Sequence, residues 1–151
     1  MTYTISREIR LKNRPEGMPR ETDFELVEVE LPEIVEREVL VQTIYMSVDP
    51  YIRGRMNDRK SYVPPFQLGE PLDGGYVDRV VESKKGPFQV GEYVYGMLGW
   101  REYFISDGQG LVKVDSSMAP LQSYLGKAFI GLFKGENFGK MIVKIGSDPG
   151  N

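Results

Sequence analysis

The amino-acid sequence predicts a mainly β protein, built as a barrel or a sandwich with a few short helices. Three observations lead to this prediction. Apolar runs of strand length recur through the first 115 residues, glycine and proline separate them, and few segments have helical periodicity. The 151 residues correspond to one domain, long enough to bury a hydrophobic core without metals or disulfides.

The predicted strands follow one another at short intervals. Alternation in the second strand places Phe24 and Leu26 inward, followed by Val29 and Leu31 after a one-residue irregularity. The third strand is long and rich in β-branched residues, which predicts burial on both faces. In chain order the predicted strands are residues 4–12, 24–31, 38–49, 76–82, 92–96, 102–105 and 111–114.

Helical content is expected to be small. Residues 49–56 are predicted to form one turn, because Asp49 is a good N-cap and Pro50 is tolerated at the first helical position. A second short helix is predicted within residues 116–125.

The last part of the chain has a different character. Residues 128–134 have the pattern of the end of an amphipathic helix, stopped by Gly135, but no capping residue marks the beginning of that helix. Residues 139–145 are predicted to form a terminal strand, and residues 146–151 a flexible, turn-like tail.

Two absences restrict the chemistry of the chain. It has no cysteine, which excludes disulfides, thiolate nucleophiles and cysteine-based zinc sites. It also has no histidine, the commonest general base and metal ligand. Proton chemistry is therefore left to tyrosine, lysine, aspartate or glutamate, and no metal site is expected.

Charge and hydropathy argue against several partners. A net charge of −3 with interspersed signs gives no basic surface for nucleic acid. The densest basic stretch, residues 53–60, is expected to be a solvated loop, with a phosphate or anionic cofactor as its alternative ligand. No apolar run approaches the roughly 20 residues of a membrane span, and the N-terminus lacks the pattern of a signal peptide. A cytoplasmic protein without membrane contact is expected.

No segment has a phosphate-binding fingerprint. Residues 131–140 fail the P-loop pattern, because the first glycine is misplaced and Met141 replaces the required serine or threonine. No G-x-G-x-x-G sequence follows a predicted strand. The chain therefore carries no recognisable dinucleotide site of its own.

The segment SVDPYIRGR at residues 47–55 is the strongest candidate for a functional site. It follows the longest strand and turns at Asp49 and Pro50, so Tyr51 would project from the end of a rigid element. The alternative is structural: Asp49 caps the turn and Tyr51 packs over the mouth of the barrel.

This segment resembles the S-[VC]-D-P-Y-M-R motif of the prostaglandin reductase and alkenal double-bond reductase family of zinc-free medium-chain dehydrogenases/reductases. Three further segments are similar to that family, in the family's order. They are LGEPLDG at 68–74, VGEYVYGMLGWREY at 90–103 and AFIGLFKGENFGKMIVKI at 128–145. Together the four segments cover nearly the whole chain.

The resemblance implies a GroES-like, partly open β barrel with a few short helices. Residues 1–126 would be the N-terminal part of this catalytic barrel, and residues 127–145 a C-terminal helix and strand that complete it, before the tail at 146–151. Between residues 126 and 127 the family has a Rossmann cofactor domain of roughly 180–200 residues, which is absent from this sequence.

The resemblance also implies an activity, NADPH-dependent reduction of the C=C bond of α,β-unsaturated aldehydes or ketones. Tyr51 would be catalytic and would bind the substrate carbonyl, because an enolate forms there and needs a hydrogen-bond donor. Asn137 would hydrogen-bond the cofactor, although an asparagine in a left-handed turn is the alternative. NADP(H) is expected in the full-length enzyme, without zinc. This chain alone is expected to bind no cofactor and to be inactive.

Two further aromatic residues are candidates for the substrate pocket. Some relatives have a second substrate-facing tyrosine after the P-G-x-P turn; here that position is Gly75, and Tyr76 stands beside it. A one-residue displacement along a strand turns a side chain to the other face. Trp100 would form a wall of the pocket, with a core aromatic as the alternative.

Other functions remain open at this stage. A non-catalytic β-barrel interaction module would share the fold, since shape alone does not determine activity. A quinone reductase would differ only in its substrate. In the family, homodimers commonly form through the domain that is absent here, so the full-length form is expected to be a homodimer acting on a small-molecule enone or enal.

Overall fold

The computed structural model describes residues 3–97 and 99–117 and the strand Met141–Lys144. Eight strands and one α-helix form this part of the chain, with a 3-10 turn at Glu21–Asp23. The strands are β1 (Thr4–Leu11), β2 (Phe24–Leu31), β3 (Val39–Val48), β4 (Tyr76–Ser83), β5 (Tyr93–Gly96), β6 (Tyr103–Ser106), β7 (Val112–Val114) and β8 (Met141–Lys144), and helix α1 is Tyr51–Arg55. The predicted mainly β fold with little helix is confirmed.

The strands form two antiparallel sheets. Strands β1 and β2 pair alone, in an unbroken register from Thr4 opposite Leu31 to Leu11 opposite Phe24. The second sheet has the order β6-β3-β4-β5-β7, and β8 also pairs with β3. All of its pairings are antiparallel. Short strands joined by turns therefore wrap around a common core.

Strand β3 is the centre of the larger sheet. One of its edges pairs with β4, and the other pairs first with β6, over 39–42, and then with β8, over 45–48. Its register with β4 shifts twice, between Leu40 and Val41 and between Thr43 and Tyr45. Most of its side chains are buried, which confirms the predicted burial on both faces. Such irregularities bend a strand, so one strand can serve two partners along a single edge.

Ser6 joins the two-stranded sheet to the edge of the larger one. Its hydroxyl donates to the carbonyl of Tyr103 at 2.8 Å and accepts from the amide of the same residue at 3.0 Å. Ser6 is only 1% exposed. Beside it, Arg7 forms an ion pair with Glu102. A short side chain thus satisfies the backbone of β6 where regular strand pairing is absent.

The two larger apolar clusters of the described residues involve different strands. The first fills the interior between β3, β4, β5 and β6, and the second packs helix α1 against β1 and the turn before β4. The first consists of Val39, Val41, Tyr76, Val80, Phe88, Val94, Phe104 and Leu111, and the second of Leu11, Ile52, Met56, Phe66 and Leu72. The second cluster fixes the position of helix α1.

Most of the predicted elements are confirmed within a residue or two, including the seven early strands, the turn within 49–56 and the terminal strand. The predicted inward position of Leu26 is wrong. Leu26 is 66% exposed, whereas Val27, Val29 and Leu31 are half-buried. Because the pairing of β1 with β2 has no bulge, side chains alternate between the two faces along the whole of β2. Leu26 therefore lies on the face opposite that of Val27, Val29 and Leu31.

Several predictions lie outside the described residues. They are the helix at 128–134, most of the short helix at 116–125, the tail at 146–151 and the domain division between 126 and 127. Among the residues that the structure describes, no helix has both the length and the apolar character needed to cross a membrane.

A carboxyl group is buried inside the larger sheet. Asp78 is fully buried on β4, opposite Thr43 of β3 in the register. Its neighbours on the same face of β4, Tyr76 and Val80, belong to the apolar interior. In the described part of the chain neither Asp78 oxygen has a hydrogen-bond partner of good geometry. Burial raises the pKa of Asp78 well above its ordinary value, and the nearby Thr43 hydroxyl opposes this effect only in part.

This buried acid predicts a stability that falls as the pH rises. The folded state holds the Asp78 proton above the unfolded pKa of about 3.9, so stability is greatest below that pH and declines above it, by about 1.4 kcal/mol per pH unit at most. We expect Asp78→Asn to remove this decline. Urea unfolding of both proteins between pH 4 and 8 measures it, with Glu82→Gln, an exposed acid on the same strand, as control. Parallel pH profiles for Asp78→Asn and the parent chain would contradict a neutral buried carboxyl.

Candidate active site

The end of β3 is held in place by the turn before β4. The amide of Ser47 donates to the carbonyl of Gly75 at 2.8 Å, and the buried Ser47 hydroxyl donates to Asp49 Oδ2 at 2.6 Å. The amide of Ile52 then donates to the carbonyl of Asp49 at 3.0 Å, which begins helix α1. Pro50 precedes the first helical residue, Tyr51. The predicted sharp turn is confirmed, and it positions Tyr51 relative to a rigid strand.

Helix α1 places neighbouring side chains in opposite environments. Ile52 is 2% exposed and belongs to the second apolar cluster, whereas Tyr51 is 44% exposed. A single turn of helix is too short to be stable by itself, so packing of Ile52 and Met56 must hold it. With Ile52 buried, Tyr51 is directed towards the surface.

The surroundings of Tyr51 keep its hydroxyl protonated. Partial burial raises the pKa of Tyr51 above its ordinary value of 10.0, and the carboxylates of Asp49 and Asp73 raise it further. The Arg55 guanidinium acts in the opposite direction, and Tyr95 adds a smaller upward effect. A phenol that stays neutral at physiological pH can donate a hydrogen bond to a developing oxyanion.

Two arginines of the basic stretch at 53–60 form hydrogen bonds and an ion pair with neighbouring loops. The Arg53 guanidinium donates to the carbonyls of Pro15 and Gly17, at 2.8–3.1 Å, and to Asn57 Oδ1 at 3.0 Å. Arg55 donates to the carbonyl of Pro64 at 3.0 Å and pairs with Asp73. These contacts favour the structural interpretation of the two arginines over phosphate binding.

Tyr76 lies in the interior of the larger sheet. It is 1% exposed, and its ring meets Phe104 edge-on, with centroids 5.3 Å apart and planes at 72°. Its hydroxyl lies against Gly96, where an added Cβ would come within 3.0 Å of the phenolic oxygen. The Tyr76 side chain therefore faces the interior, and its predicted substrate-binding role stays a prediction.

Trp100 is half-buried beside the second apolar cluster. Its amide donates to the carbonyl of Leu72 at 2.6 Å, and its carbonyl accepts from the amide of Ile9 at 3.0 Å. An added Cβ at Gly74 would lie 3.6 Å from the indole nitrogen and 3.2 Å from the carbonyl of Ser47. The missing side chain at Gly74 thus allows the indole, the end of β3 and the turn before β4 to lie close together.

A cavity of about 170 Å³ lies on the β1–β2 side of Trp100. Its lining is mostly apolar, with two arginines and a glutamate at the rim. The lining residues are Arg7, Ile9, Leu26, Met46, Trp100, Arg101 and Glu102. Trp100 therefore lines a cavity and also packs against the second apolar cluster. Tyr51 is not among the residues that line this cavity, so the place of Trp100 in a substrate pocket stays a prediction.

The remaining predicted site residue, Asn137, lies outside the described residues. Two residues near Tyr51 were missed in the sequence analysis, Asp73 and Arg55. Each lay inside a segment already singled out, the turn at 68–74 and the basic stretch, but no spacing rule relates the two segments. Within the described ranges, no three His, Cys, Asp or Glu side chains come together as a metal site.

Residues 7–114 match the family described as the N-terminal domain of oxidoreductases. The chain is 46% identical over 104 residues to the NADPH-dependent curcumin reductase of Escherichia coli, covering 69% of this chain and 30% of that protein. It is 39% identical over 127 residues to the NADP(+)-dependent 2-alkenal reductase of Nicotiana tabacum, covering 80% and 37%. Rat prostaglandin reductase 1 is 41% identical over 104 residues, covering 69% and 30%. The chain thus spans about a third of the length of these relatives.

Solved structures agree with these matches. The crystal structure of CurA from Vibrio vulnificus superposes with a TM-score of 0.75 at 38% identity, over 85% of this chain and 40% of that one. The complex of CurA with NADPH gives a TM-score of 0.74 over the same shares. The GroES-like fold implied by the resemblance is confirmed.

The opposite environments of two adjacent side chains predict opposite effects on stability. We expect Ile52→Ala to lower the free energy of unfolding by about 2–4 kcal/mol, because it leaves a cavity in the second apolar cluster. Tyr51→Phe should change it by less than about 0.5 kcal/mol, since the hydroxyl is at the surface. Urea denaturation followed by circular dichroism measures both. A larger loss for Tyr51→Phe than for Ile52→Ala would show that the phenol has a packing role.

Proposed function

Because the chain belongs to the medium-chain dehydrogenase/reductase family of NADP-dependent oxidoreductases, we propose that it forms the catalytic domain of an NADPH-dependent enzyme. The proposed reaction is reduction of the C=C bond of α,β-unsaturated aldehydes or ketones. The observation that carries the proposal is the position of Tyr51, a protonated, half-exposed phenol at the end of the central strand. The relatives named as curcumin, alkenal and prostaglandin reductases support the substrate class.

In this mechanism Tyr51 binds the carbonyl oxygen of the substrate. NADPH, when bound, supplies the hydride that is added to the β-carbon. Negative charge then develops on the carbonyl oxygen, and the Tyr51 hydroxyl donates a hydrogen bond to it. A proton taken from solvent at the α-carbon completes the reduction. A fixed donor costs little reorganisation, because Ser47, Asp49 and Ile52 already hold the turn that carries it.

The described residues fit the substrate side of this reaction better than the cofactor side. The sequence has no glycine-rich phosphate fingerprint, and the arginines nearest to Tyr51 hold loop carbonyls and Asp73. Asn137 is the one cofactor contact that we propose within this chain. We propose that the phosphates are bound by the Rossmann domain of the whole enzyme, and that its homodimer forms through that domain.

The chain by itself is therefore expected to bind NADPH weakly or not at all. Isothermal titration calorimetry of the 151 residues with NADPH measures this directly. We expect no saturable heat at micromolar concentrations, because the groups that bind the adenosine phosphates are absent. Micromolar binding would contradict the proposal that another domain binds the phosphates of NADPH. It would instead favour the basic stretch at 53–60 as a phosphate site.

The proposed role of Tyr51 predicts a loss of turnover in an enzyme with a cofactor domain. Insertion of a relative's Rossmann domain between Gly126 and Lys127 should yield NADPH oxidation with simple enones and enals. We expect Tyr51→Phe to lower kcat by about 100-fold, the usual cost of losing one oxyanion donor. Tyr62→Phe, which removes a hydroxyl from a fully exposed tyrosine, is the matched control.

Two other outcomes would change the assignment. Activity with quinones but not with enones or enals would indicate a quinone reductase. Failure of a folded, NADPH-binding enzyme to oxidise NADPH with any of these substrates would favour a non-catalytic barrel module. Equal kcat values for the Tyr51→Phe and Tyr62→Phe variants would show that the Tyr51 hydroxyl takes no part in the reaction.

A further inference from the structure

Arg55 connects three separate segments of the chain. Its guanidinium pairs with Asp73, donates to the carbonyl of Pro64 at 3.0 Å, and lies 4.0 Å above the centroid of the Phe66 ring. The Arg55 side chain is only 14% exposed. The largely buried guanidinium gains from the additional hydrogen bond and the aromatic face, which compensate for its lost hydration.

The segment that contains Asp73 is itself rigid. Asp73 forms an isolated bridge with Gly99, and the neighbouring Leu72 donates its amide to Ile9 and accepts from Trp100. Gly74, on the other side, lies against the carbonyl of Ser47. The Asp73 carboxylate therefore projects from backbone that is fixed to β1, to β3 and to the Trp100 segment. A contact with Asp73 fixes helix α1 to this framework.

Helix geometry places Arg55 next to Tyr51. The two residues are four apart in α1, so their side chains share one face of the helix. The surroundings of Tyr51 reflect this arrangement, because Asp73 and Arg55 act on its hydroxyl in opposite directions. Both members of the ion pair are therefore among the charged groups that act on the phenol.

We propose that Arg55 and Asp73 are positioning residues for Tyr51. Their ion pair fixes the single turn of helix that carries the phenol, and it holds two opposite charges at the face of the helix on which Tyr51 lies. This inference rests on the proposed function of Tyr51. A structural pair remote from the hydroxyl would hold the loop equally well but would leave the ionisation of the phenol unchanged.

The test measures the ionisation of residue 51 in the chain itself. We suggest incorporating 3,5-difluorotyrosine at position 51, since its hydroxyl ionises nearer to neutral pH, and following its titration by ¹⁹F NMR. We expect Asp73→Asn to lower the pKa of this phenol, because the negative charge is lost and Arg55 is left unneutralised. Arg55→Gln should raise the pKa for the converse reason. Asp73→Glu, which keeps the carboxylate, should restore a value near that of the parent chain.

The matched control is Glu92→Gln, which breaks an exposed ion pair with Lys113 between β5 and β7. It should leave the titration of residue 51 unchanged. Shifts of equal sign in Asp73→Asn and Arg55→Gln, or no shift in either, would overturn the proposal. If Arg55→Gln does not fold, Asp73→Asn decides alone: a lowered pKa supports the proposal, and an unchanged or raised pKa rejects it.

This experiment requires neither NADPH nor turnover. An enzyme without activity towards enones would therefore contradict the proposed function while leaving the positioning of Tyr51 by the pair intact. Conversely, an active enzyme whose residue 51 titrates identically in all variants would reject the positioning role alone. The two failures are distinguishable.

Discussion

Pairing of β3 along both of its edges is the constraint on which the site depends. The strand is held by β4 on one side and by β6 and β8 on the other, so its C-terminal end has little freedom. The amide of Ser47 continues this pairing to Gly75, and the turn at Asp49 follows directly. A helix of five residues has little stability of its own, but one that begins at a fixed strand end and buries Ile52 has a defined position. The exposure of Tyr51 is a consequence of that position.

Two aspartates show how strongly the environment determines the state of the same side chain. Asp78 is enclosed by the apolar interior without a cation, and the free-energy cost of burying a charge favours its neutral form. Asp73 is partly exposed and pairs with Arg55. The first makes the stability of the barrel depend on pH. The second supplies a fixed charge beside Tyr51.

Two tyrosines of the candidate site, Tyr51 and Tyr76, also lie in different environments. Tyr51 lies within a motif that resembles the reductase family, and Tyr76 comes shortly after another such motif. Tyr51 reaches the surface, whereas Tyr76 packs against Phe104 inside the sheet. The motif containing Tyr51 could be transferred residue by residue, because its strand, turn and helix are all local. The direction of the Tyr76 side chain depends on the register of β4, which decides the face of the sheet that each residue occupies.

The sequence by itself determined the strands of this protein and the turn at Asp49 and Pro50. Its lack of histidine and cysteine restricted proton chemistry to tyrosine, lysine, aspartate or glutamate. These are local or compositional properties, set by side-chain period, capping and residue chemistry. Only the tertiary structure decided that Leu26 faces outward, that Asp78 lies buried beside Thr43, and that Arg55 meets Asp73 next to Tyr51. These facts depend on strand register and on contacts between segments far apart in the chain, and neither leaves a periodic signal in the sequence.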